Sequence, residues 1–338
     1  MRVWLTDEQK EIGTAAADFL NGREGVLGPP LTGATEPTPE DEARIWAECG
    51  ELGWFSLGVP EKRGGVGYGP IEELVLFREL GRHLARGPFV STVAAGWIAA
   101  ATERTDLAAD VFAGRLRVGL AVGDHVLDAE PEGLLVVPGE NGLQLRRITG
   151  PLVPATSVDA TVRLTHGVAS EEVVRVDDPL LVSRLEMLLA AADIGIADAT
   201  RDMSVSYAQS RIQFGKPIGA FQAVKHRCAD MAIRCYAAYS QTLFAASHLE
   251  LRSSFAGFHA GAARLVASSA ARRNAADNIQ NHGAIGFTQE HIAAWFARRA
   301  QVLHQCVDPL ATSRRVASTE RERYDTLGAP VDDWFATP

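Results

Sequence analysis

The segment SRIQFGKPIGAFQ (210–222) contains an arginine, an aromatic residue and a turn that together could bind a phosphorylated ligand. The guanidinium of Arg211 suits this role because its rigid fork pairs bidentately with phosphate oxygens. Pro217 stops a preceding helix from continuing through the segment, so Arg211 lies close to a helix end. A helix-end cation that faces the negative end of the helix dipole is the ordinary alternative, and for an isolated arginine it is the better interpretation.

A second candidate is the glycine-rich run GVPEKRGGVGYGP (58–70), whose closely spaced glycines could cradle a phosphate. No Lys-Ser or Lys-Thr pair follows these glycines, and no strand precedes them, so a phosphate-binding loop is poorly supported. The run predicts a tight turn between two helices instead.

Other reactive residues lack the neighbours that catalysis or metal binding would need. His226 and Asp230 lie four residues apart on a predicted helix, but no serine or cysteine nucleophile is placed with them, so they predict a surface hydrogen-bonded pair. The four cysteines include no C-x-x-C pair and no zinc-like Cys/His set. Reduced, mostly buried thiols are expected, which is consistent with a cytoplasmic protein that holds no metal.

Composition narrows the class of protein. The 338 residues are 46% hydrophobic and 22% charged, which is enough for a sizeable core and typical of a globular chain with two or three domains. A net charge of −9 and the lack of any basic run argue against a nucleic-acid-binding surface. No stretch of 18 apolar residues exists, so no membrane span is expected.

The elements that would position these residues follow the order helices, strands, helices. Apolar residues at three-to-four spacing predict helices at 7–20, 40–53, 71–85 and 91–103, the first with Thr6 as N-cap and Gln9 closing a capping box. Short Val- and Leu-rich runs between 115 and 176 predict strands. Long helices at 180–209, 220–250, 256–281 and 288–305 predict a bundle, followed by a charged, irregular tail.

We therefore predict an α+β fold that is mainly α. The predicted domains are an N-terminal helical domain (1–114), a reduced β domain (115–177), a C-terminal four-helix bundle (178–326) and a tail (327–338).

Three segments, in the same order along the chain, resemble sequence blocks of the acyl-CoA dehydrogenase family. SRIQFGKPIGAFQAVKHRCADM (210–231) is similar to the family signature, Arg-x-x-Phe-Gly followed by Pro-Ile-Gly-x-Phe-Gln. NIQNHGAIGFTQEH (278–291) resembles its Gln-x-x-Gly-Gly-x-Gly-Phe/Tyr-x-x-Glu block, and residues 57–85 resemble its N-terminal helix-loop-helix. The resemblance covers nearly the whole chain. It implies the family fold of a helical domain, a small β domain and a C-terminal four-helix bundle.

The resemblance also implies FAD at a subunit interface, with an acyl-CoA thioester beside the flavin. By position, Arg211 corresponds to an arginine on the FAD pyrophosphate of a neighbouring subunit, and Phe214 corresponds to a residue that packs against the adenine end. Gln213 belongs to the same motif. Gln280 and Gly283 correspond to residues whose side chain or closely approaching backbone contacts the ADP half of the cofactor.

The catalytic base of the family has no direct counterpart here. Most members carry it in a Tyr-Glu-Gly-Thr run near the C-terminus, and the corresponding run, residues 306–309, has Val307 at the glutamate position. A minority place the base on the long helix before the signature, at the position of Leu185. The neighbouring Glu186 is about 100° away around a helix, so it is a candidate base only if the helix phase differs. The alternative is a solvated glutamate near the helix N-terminus.

The β domain departs from the family as well. Neither the Thr-Glu-Pro-x-x-Gly-Ser segment nor the Trp-Ile-Thr-Asn strand that hold the flavin and acyl-CoA is found between 115 and 176. A shortened chain of this type resembles the smaller subunit of actinobacterial α2β2 acyl-CoA dehydrogenases, which act on CoA thioesters from steroid breakdown.

This resemblance implies α,β-dehydrogenation of an acyl-CoA, a homologous larger partner subunit, and an electron acceptor such as an electron-transfer flavoprotein. Three alternatives remain open. One is a non-catalytic subunit that completes the FAD site of a partner chain, and another is a homo-oligomer that uses Glu186 as its base. The third is a flavin monooxygenase of the same fold, since such enzymes also lack the glutamate, although the resemblance to the steroid subunit is closer.

Overall fold

The structure is a computed structural model that describes residues 4–29, 37–288 and 290–327. Its first part is helical, and the four predicted helices are present together with two additional short ones, α2 and α6. These helices are α1 (Asp7–Asn21), α2 (Glu24–Leu27), α3 (Pro39–Glu51), α4 (Pro70–Arg82), α5 (Phe89–Ala101) and α6 (Thr105–Phe112).

The start of α1 confirms the predicted capping box. The side chain of Thr6 accepts a hydrogen bond from the amide of Gln9 at 3.2 Å, and the amide of Thr6 donates to Gln9 Oε1 at 2.9 Å. Both amides would otherwise lack a partner at the helix start, so the box determines where α1 begins.

The glycine-rich run forms the predicted turn between helices. The amides of Gly65, Val66, Gly67 and Tyr68 all donate to backbone carbonyl oxygens of residues 56–60. A phosphate would need those amides free. Gly67 has a φ of +90°, and a Cβ on Gly65 would lie 2.2 Å from the carbonyl oxygen of Val59. Glycine is therefore required because the turn brings backbone atoms too close together for a Cβ. The amides are engaged within the turn, so no phosphate-binding loop is formed.

A seven-stranded sheet follows, with the order β5-β6-β2-β1-β3-β4-β7. The β1–β3 pair is parallel and the other pairs are antiparallel. Four strands match the predicted runs and β6 overlaps a fifth, whereas β2 and β5 have three residues each and are too short to show a periodic pattern. The strands are β1 (Val118–Val122), β2 (His125–Leu127), β3 (Leu134–Pro138), β4 (Leu143–Ile148), β5 (Val153–Ala155), β6 (Leu164–His166) and β7 (Ser170–Val176).

Long helices and one short hairpin complete the chain. The central helix of this part is α7, which is buried along most of its length and packs against α4, α8 and α9. The elements are α7 (Pro179–Ser210), β8 (Ile212–Gln213), β9 (Lys216–Pro217), α8 (Gln222–Glu250), α9 (Ala256–His282), α10 (Ile292–Gln305) and α11 (Pro309–Leu327). The mainly helical fold class with a central sheet is thereby confirmed, whereas the domain boundaries stay predictions.

The contact between α4 and α7 depends on two glycines. A Cβ on Gly81 would lie 2.0 Å from the carbonyl oxygen of Ala192, and a Cβ on Gly195 would lie 2.0 Å from that of Arg78. Real Cβ atoms do not approach oxygen so closely, so the two backbones touch directly at this crossing. The N-terminal helices are thereby fixed to the C-terminal bundle at backbone distance.

The expectation of an irregular tail after α10 is wrong for residues 309–327, and the rest of the predicted tail (328–338) lies outside the described residues. Residues Pro309–Leu327 form the helix α11, which begins with proline at a first-turn position and with Asp308 Oδ1 accepting from the amide of Leu310 at 2.9 Å. The charged composition of this segment was misleading, because a helix can be polar over most of its surface when a few side chains anchor it.

Another expectation concerned His226 and Asp230. Both side chains are exposed on α8, and among the described residues no hydrogen bond joins them. The predicted surface pair is therefore not formed. In the same described ranges, no helix is both long enough and apolar enough to cross a bilayer.

One buried ion pair joins three helices of the bundle. Arg264 on α9 donates to Asp193 Oδ2 on α7 at 2.5 Å, and another of its nitrogens donates to the carbonyl oxygen of Leu303 on α10. The Asp193 side chain is fully buried and that of Arg264 is 4% exposed. Burial raises the pKa of Asp193 to about 6 despite the adjacent guanidinium.

Asp193→Asn should lower the free energy of unfolding by about 3–5 kcal/mol, because the Arg264 guanidinium would stay buried without a counter-charge. Asp193→Leu combined with Arg264→Met should cost much less, since both charges are removed and apolar volume is kept. Urea unfolding of the three proteins measures the difference. An equal loss in the single and double variants would show that the pair contributes only packing.

Candidate active site

A cavity of about 1450 Å³ lies between the turns of the sheet and the helices α7, α10 and α11. The sheet contributes residues 121–125, 138–140 and 156–158. The opposite wall is formed by Val182 and Glu186 of α7, by residues 305–309, and by polar side chains of α11. Ligand pockets usually have about 300–1,000 Å³, so this cavity has room for two molecules that bind side by side.

A small apolar extension adjoins the cavity. Leu127, Val302 and Cys306 line both spaces, and the extension continues to Phe89 of α5 and Leu189 of α7. Its volume is about 80 Å³. Burial raises the pKa of the Cys306 thiol to about 12, so this cysteine contributes apolar surface rather than a nucleophile.

The phase of α7 directs Glu186 toward the cavity. Leu185, at the position where some family members carry their base, is fully buried in the apolar core and does not line the cavity. Val182 and Glu186, which are four residues apart and therefore on one helix face, both line it. Glu186 was a candidate base only if the phase of α7 directed it, rather than Leu185, toward the site, and the structure has this phase. Its role as a base stays a prediction.

Glu186 is not the solvated residue that its position near a helix start suggested. It is the eighth residue of α7 and is fully buried. Thr312 Oγ1 donates to Oε1 at 2.9 Å, and the guanidinium of Arg315 donates to Oε2. Burial raises the pKa of Glu186, while Arg315 and Thr312 act to lower it. Each carboxylate oxygen is therefore held by a residue of α11.

Val307, the residue at the predicted position of the usual base, contributes apolar surface to the cavity. Val307 lies in the link between α10 and α11 and lines the cavity, and a valine side chain takes up no proton. The other carboxylates among the described lining residues are Asp124, Glu140 and Asp308, and all three are exposed. Glu186 is thus the buried carboxylate of this site. Within the described ranges, no cluster of His, Cys, Asp or Glu is placed to hold a metal ion.

The predicted ligand residues of the signature lie on an exposed hairpin. Phe214 is 90% exposed and has a φ of +51°, a left-handed backbone conformation that is strained for an aromatic residue. Ile212 beside it is 62% exposed. Gln213 and Arg211 are also exposed, and among the described residues no side-chain hydrogen bond or ion pair is formed by the Arg211 guanidinium. None of these residues lines the large cavity.

Gln280 and Gly283 lie at the same end of the bundle as the hairpin. The end of α7 is joined to the end of α9 by a hydrogen bond of 2.8 Å from Ser204 Oγ to Asn278 Oδ1 and by stacking of Tyr207 on His282 at 4.3 Å. Gly283 has a φ of +67°, and a Cβ there would meet open space. The structure therefore brings the predicted cofactor residues to one exposed end of the bundle. Glu186 and Val307 lie elsewhere, at the large cavity.

Sequence reasoning missed Arg315, Thr312 and Arg264. Their partners are 129, 126 and 71 residues away along the chain, respectively, so no local pattern indicates the pairing. One signal was present, since Thr312 and Arg315 follow Pro309 at a spacing of three that places both on one face of a helix.

Comparison with known proteins identifies similar chains. Residues 6–104 match the acyl-CoA dehydrogenase N-terminal domain, and residues 178–305 match the acyl-CoA dehydrogenase C-terminal domain. The acyl-CoA dehydrogenase IpdE2 of Mycobacterium tuberculosis is 33% identical over 284 residues, which cover 82% of this chain and 86% of that protein. The acyl-CoA dehydrogenase FadE34 of the same organism is also 33% identical, over 88% of this chain but only 45% of its own length.

Two solved structures share the fold at low identity. The Tcur3481-Tcur3483 steroid ACAD, as its G363A variant, superposes with a TM-score of 0.74 at 20% identity and covers 94% of this chain and 99% of that one. The ChsE4-ChsE5 complex from Mycobacterium tuberculosis superposes with a TM-score of 0.73 at 19% identity, over 95% of this chain and 99% of that one.

Arg315→Gln should destabilise the protein more at pH 8 than at pH 5. Without the guanidinium, the pKa of the buried Glu186 rises further above its unfolded value. When a carboxyl group has a higher pKa in the folded state than in the unfolded state, its ionisation costs more in the folded state. The protein therefore loses stability as the pH rises from the unfolded-state pKa toward the folded-state pKa. We expect the added loss at pH 8 to be about 1–3 kcal/mol in urea unfolding.

Arg314→Gln is the matched control for this experiment. Arg314 also lines the cavity, yet within the described residues it forms no ion pair. The control should be nearly neutral at both pH values, and a similar pH dependence in the two variants would remove Glu186 as the cause.

Proposed function

The chain belongs to the acyl-CoA dehydrogenase family, and on that premise we propose that it is one subunit of an FAD-dependent enzyme that introduces an α,β double bond into an acyl-CoA thioester and is active only with a partner subunit. The observation that carries this proposal is the division of the site. The nucleotide-binding residues predicted for this chain lie on an exposed end of the bundle, and the base position that faces the large cavity is occupied by Val307.

FAD is the cofactor, and the exposed hairpin fits its nucleotide half. An arginine without a protein partner can pair with pyrophosphate oxygens through its fork. A solvent-exposed aromatic ring at a strained backbone position, as at Phe214, offers a flat face for an adenine ring. Bound FAD supplies the two-electron acceptor of the oxidation. The contributions of Arg211, Gln213, Phe214, Gln280 and Gly283 are part of this proposal.

A homologous partner chain would complete the site. The hairpin residues do not line the large cavity of their own chain, which supports a cofactor that is shared with a partner chain. The relative FadE34 is about twice as long as the part that this chain matches, and the chain is similar to a subunit of the ChsE4-ChsE5 complex. Both observations support a pairing of two such units. A homo-oligomer is the alternative, and Val307 counts against it.

We propose that the catalytic base comes from the partner. A base must present a free carboxylate oxygen to the α-hydrogen of the substrate. Both oxygens of Glu186 are instead engaged by Thr312 and Arg315, so proton abstraction by Glu186 would first require α11 to release it. In this proposal the buried Glu186 anchors α11. The alternative of a non-catalytic subunit differs only in that the partner chain would also bind the substrate.

The substrate remains an acyl-CoA of undefined acyl group. The cavity is large enough for a thioester beside a second molecule, and the adjoining apolar space suits hydrocarbon. The steroid-derived acyl group and an electron-transfer flavoprotein as acceptor stay predictions from the resemblance, because a structural likeness at 20% identity shows the fold alone.

Flavin content tests the division of the site. We expect the chain purified alone to hold well under one FAD per chain, and to hold FAD stoichiometrically and to be active with acyl-CoA after co-expression with a homologous partner subunit encoded beside it. Absorbance of the released flavin and sedimentation of both preparations measure this. A flavin-loaded, active monomer would overturn the partner requirement.

Arg211→Ala should weaken FAD retention in the reconstituted assembly, since it removes a charge-assisted contact worth about 1.5–3 kcal/mol. Arg211→Lys restores the charge without the fork and should recover part of the loss. The control is Arg115→Ala, which removes an exposed arginine from the segment between α6 and β1. Unchanged FAD affinity in Arg211→Ala would contradict the role assigned to the hairpin.

Glu186→Gln should leave the turnover of the reconstituted assembly within about twofold of the parent, if the partner supplies the base. The same variant should lose about 1–3 kcal/mol of stability, because the charge that holds Arg315 is removed. Glu140→Gln, an exposed carboxylate of the same cavity, is the control. Loss of most turnover with folding and FAD retained would instead make Glu186 the base.

A further inference from the structure

A second, smaller cavity lies on the other side of the segment that carries Val307. Its volume is about 120 Å³. Val307 and Pro309 line this space as well as the large cavity, so the link between α10 and α11 separates the two. The remaining wall comes from one face of α9 and from the end of α10, through Arg264, Leu265, Ser268, Ser269, Arg272 and His304.

The lining of this small cavity carries positive charge without a matching acid. Arg264 and Arg272 both contribute to it, and no aspartate or glutamate is among the described lining residues. The charge of Arg264 is compensated by Asp193 of α7. In the described part of the chain, Arg272 has no carboxylate partner, and its guanidinium contacts the imidazole of His304 at 3.3 Å instead.

The hydrogen bonds of His304 define its protonation state and tautomer. A guanidinium only donates, so Nε2 of His304 accepts from Arg272. Nδ1 then carries the proton and donates to Ser268 Oγ at 2.9 Å. His304 is thus a neutral ring between an arginine and a serine, and the exposed guanidinium of Arg272 forms no ion pair with a carboxylate of the described residues.

Arg264 lines the cavity and keeps one buried donor without a protein partner. Its side chain is 4% exposed, and its two terminal nitrogens donate to Asp193 and to the carbonyl oxygen of Leu303. Among the described residues, Nε of Arg264 has no acceptor and Oδ1 of Asp193 has no donor, and both atoms are buried. A buried donor of a charged group without a partner is costly, and native proteins normally satisfy such groups with a side chain, a water molecule or a bound ion.

We propose that this cavity, formed by Arg264, Ser268, Ser269, Arg272 and His304, binds a phosphate group. A tetrahedral oxyanion has acceptor atoms only, which matches a lining of guanidinium and hydroxyl donors. The volume corresponds to about four water molecules at roughly 30 Å³ each, which accommodates one phosphate group.

The bound phosphate would bridge α9 to the link between α10 and α11. That link positions Val307 at the wall of the large cavity, so the occupied site would hold the wall in place. The site does not depend on the function proposed above, since none of its residues belongs to the predicted cofactor set. Two sources of the group are distinguishable, free phosphate and the ribose 3′-phosphate of coenzyme A.

The test is thermal unfolding of the protein as isolated, with inorganic phosphate against chloride at equal ionic strength. Phosphate should raise the Tm of the parent by about 2 °C or more, because a ligand that binds only the folded state stabilises it. Arg272→Gln should reduce the phosphate affinity by about tenfold or more. Arg273→Gln removes the adjacent exposed arginine, which does not line the cavity, and should bind phosphate like the parent.

A second readout is the pKa of His304, followed by NMR and assigned with His304→Gln. Burial and the two arginines lower the pKa of His304, and phosphate should raise it in the parent but not in Arg272→Gln. Equal responses of Arg272→Gln and Arg273→Gln, or no phosphate effect beyond that of chloride, would overturn the proposal. Stabilisation by coenzyme A that is lost with dephospho-coenzyme A and in Arg272→Gln identifies the 3′-phosphate as the source, whereas stabilisation by inorganic phosphate alone identifies the free ion.

Discussion

Buried carboxylates on α7 constrain how the surrounding helices can be arranged. An ion that is buried without a partner costs several kcal/mol, so each carboxylate must meet a cation from another element. Three such pairs follow one another along the helix and join it to α11, α9 and α4 in turn. The pairs are Glu186 with Arg315, Asp193 with Arg264, and Asp198 with Arg78. Replacing a whole pair with apolar residues would cost little stability, whereas removing one partner alone would leave a buried charge uncompensated.

Much of the fold could be predicted from local pattern. Periodic apolar residues, the Thr6 capping box and the glycine-rich turn all depend on residues that are close in sequence, and the structure confirms them. The strands β2 and β5 and the helix α11 could not be predicted in this way. The two strands have three residues each, which is too short to show a period, and α11 is anchored by Thr312 and Arg315 to a glutamate more than a hundred residues earlier.

The candidate site shows the same division between local and distant information. The sequence motif located the exposed hairpin with Arg211 and Phe214, and it identified Val307 as the altered base position. It could not show whether Glu186 is solvated, because burial depends on α11 and the sheet rather than on α7. Cavities formed by several elements, such as the two on either side of Val307, are properties of packing that a single sequence does not display.

The backbone contact between Gly81 and Gly195 has a consequence for how ligands enter. Two helices that touch without intervening side chains have no compressible layer between them, so α4 and α7 cannot slide or rotate past each other without a clash. Ligands that enter the large cavity therefore meet one wall, formed by Val182 and Glu186 of α7, that cannot shift relative to α4. Because Thr312 and Arg315 bind Glu186 on this wall, the position of α11 beside the cavity is set by the same fixed helix.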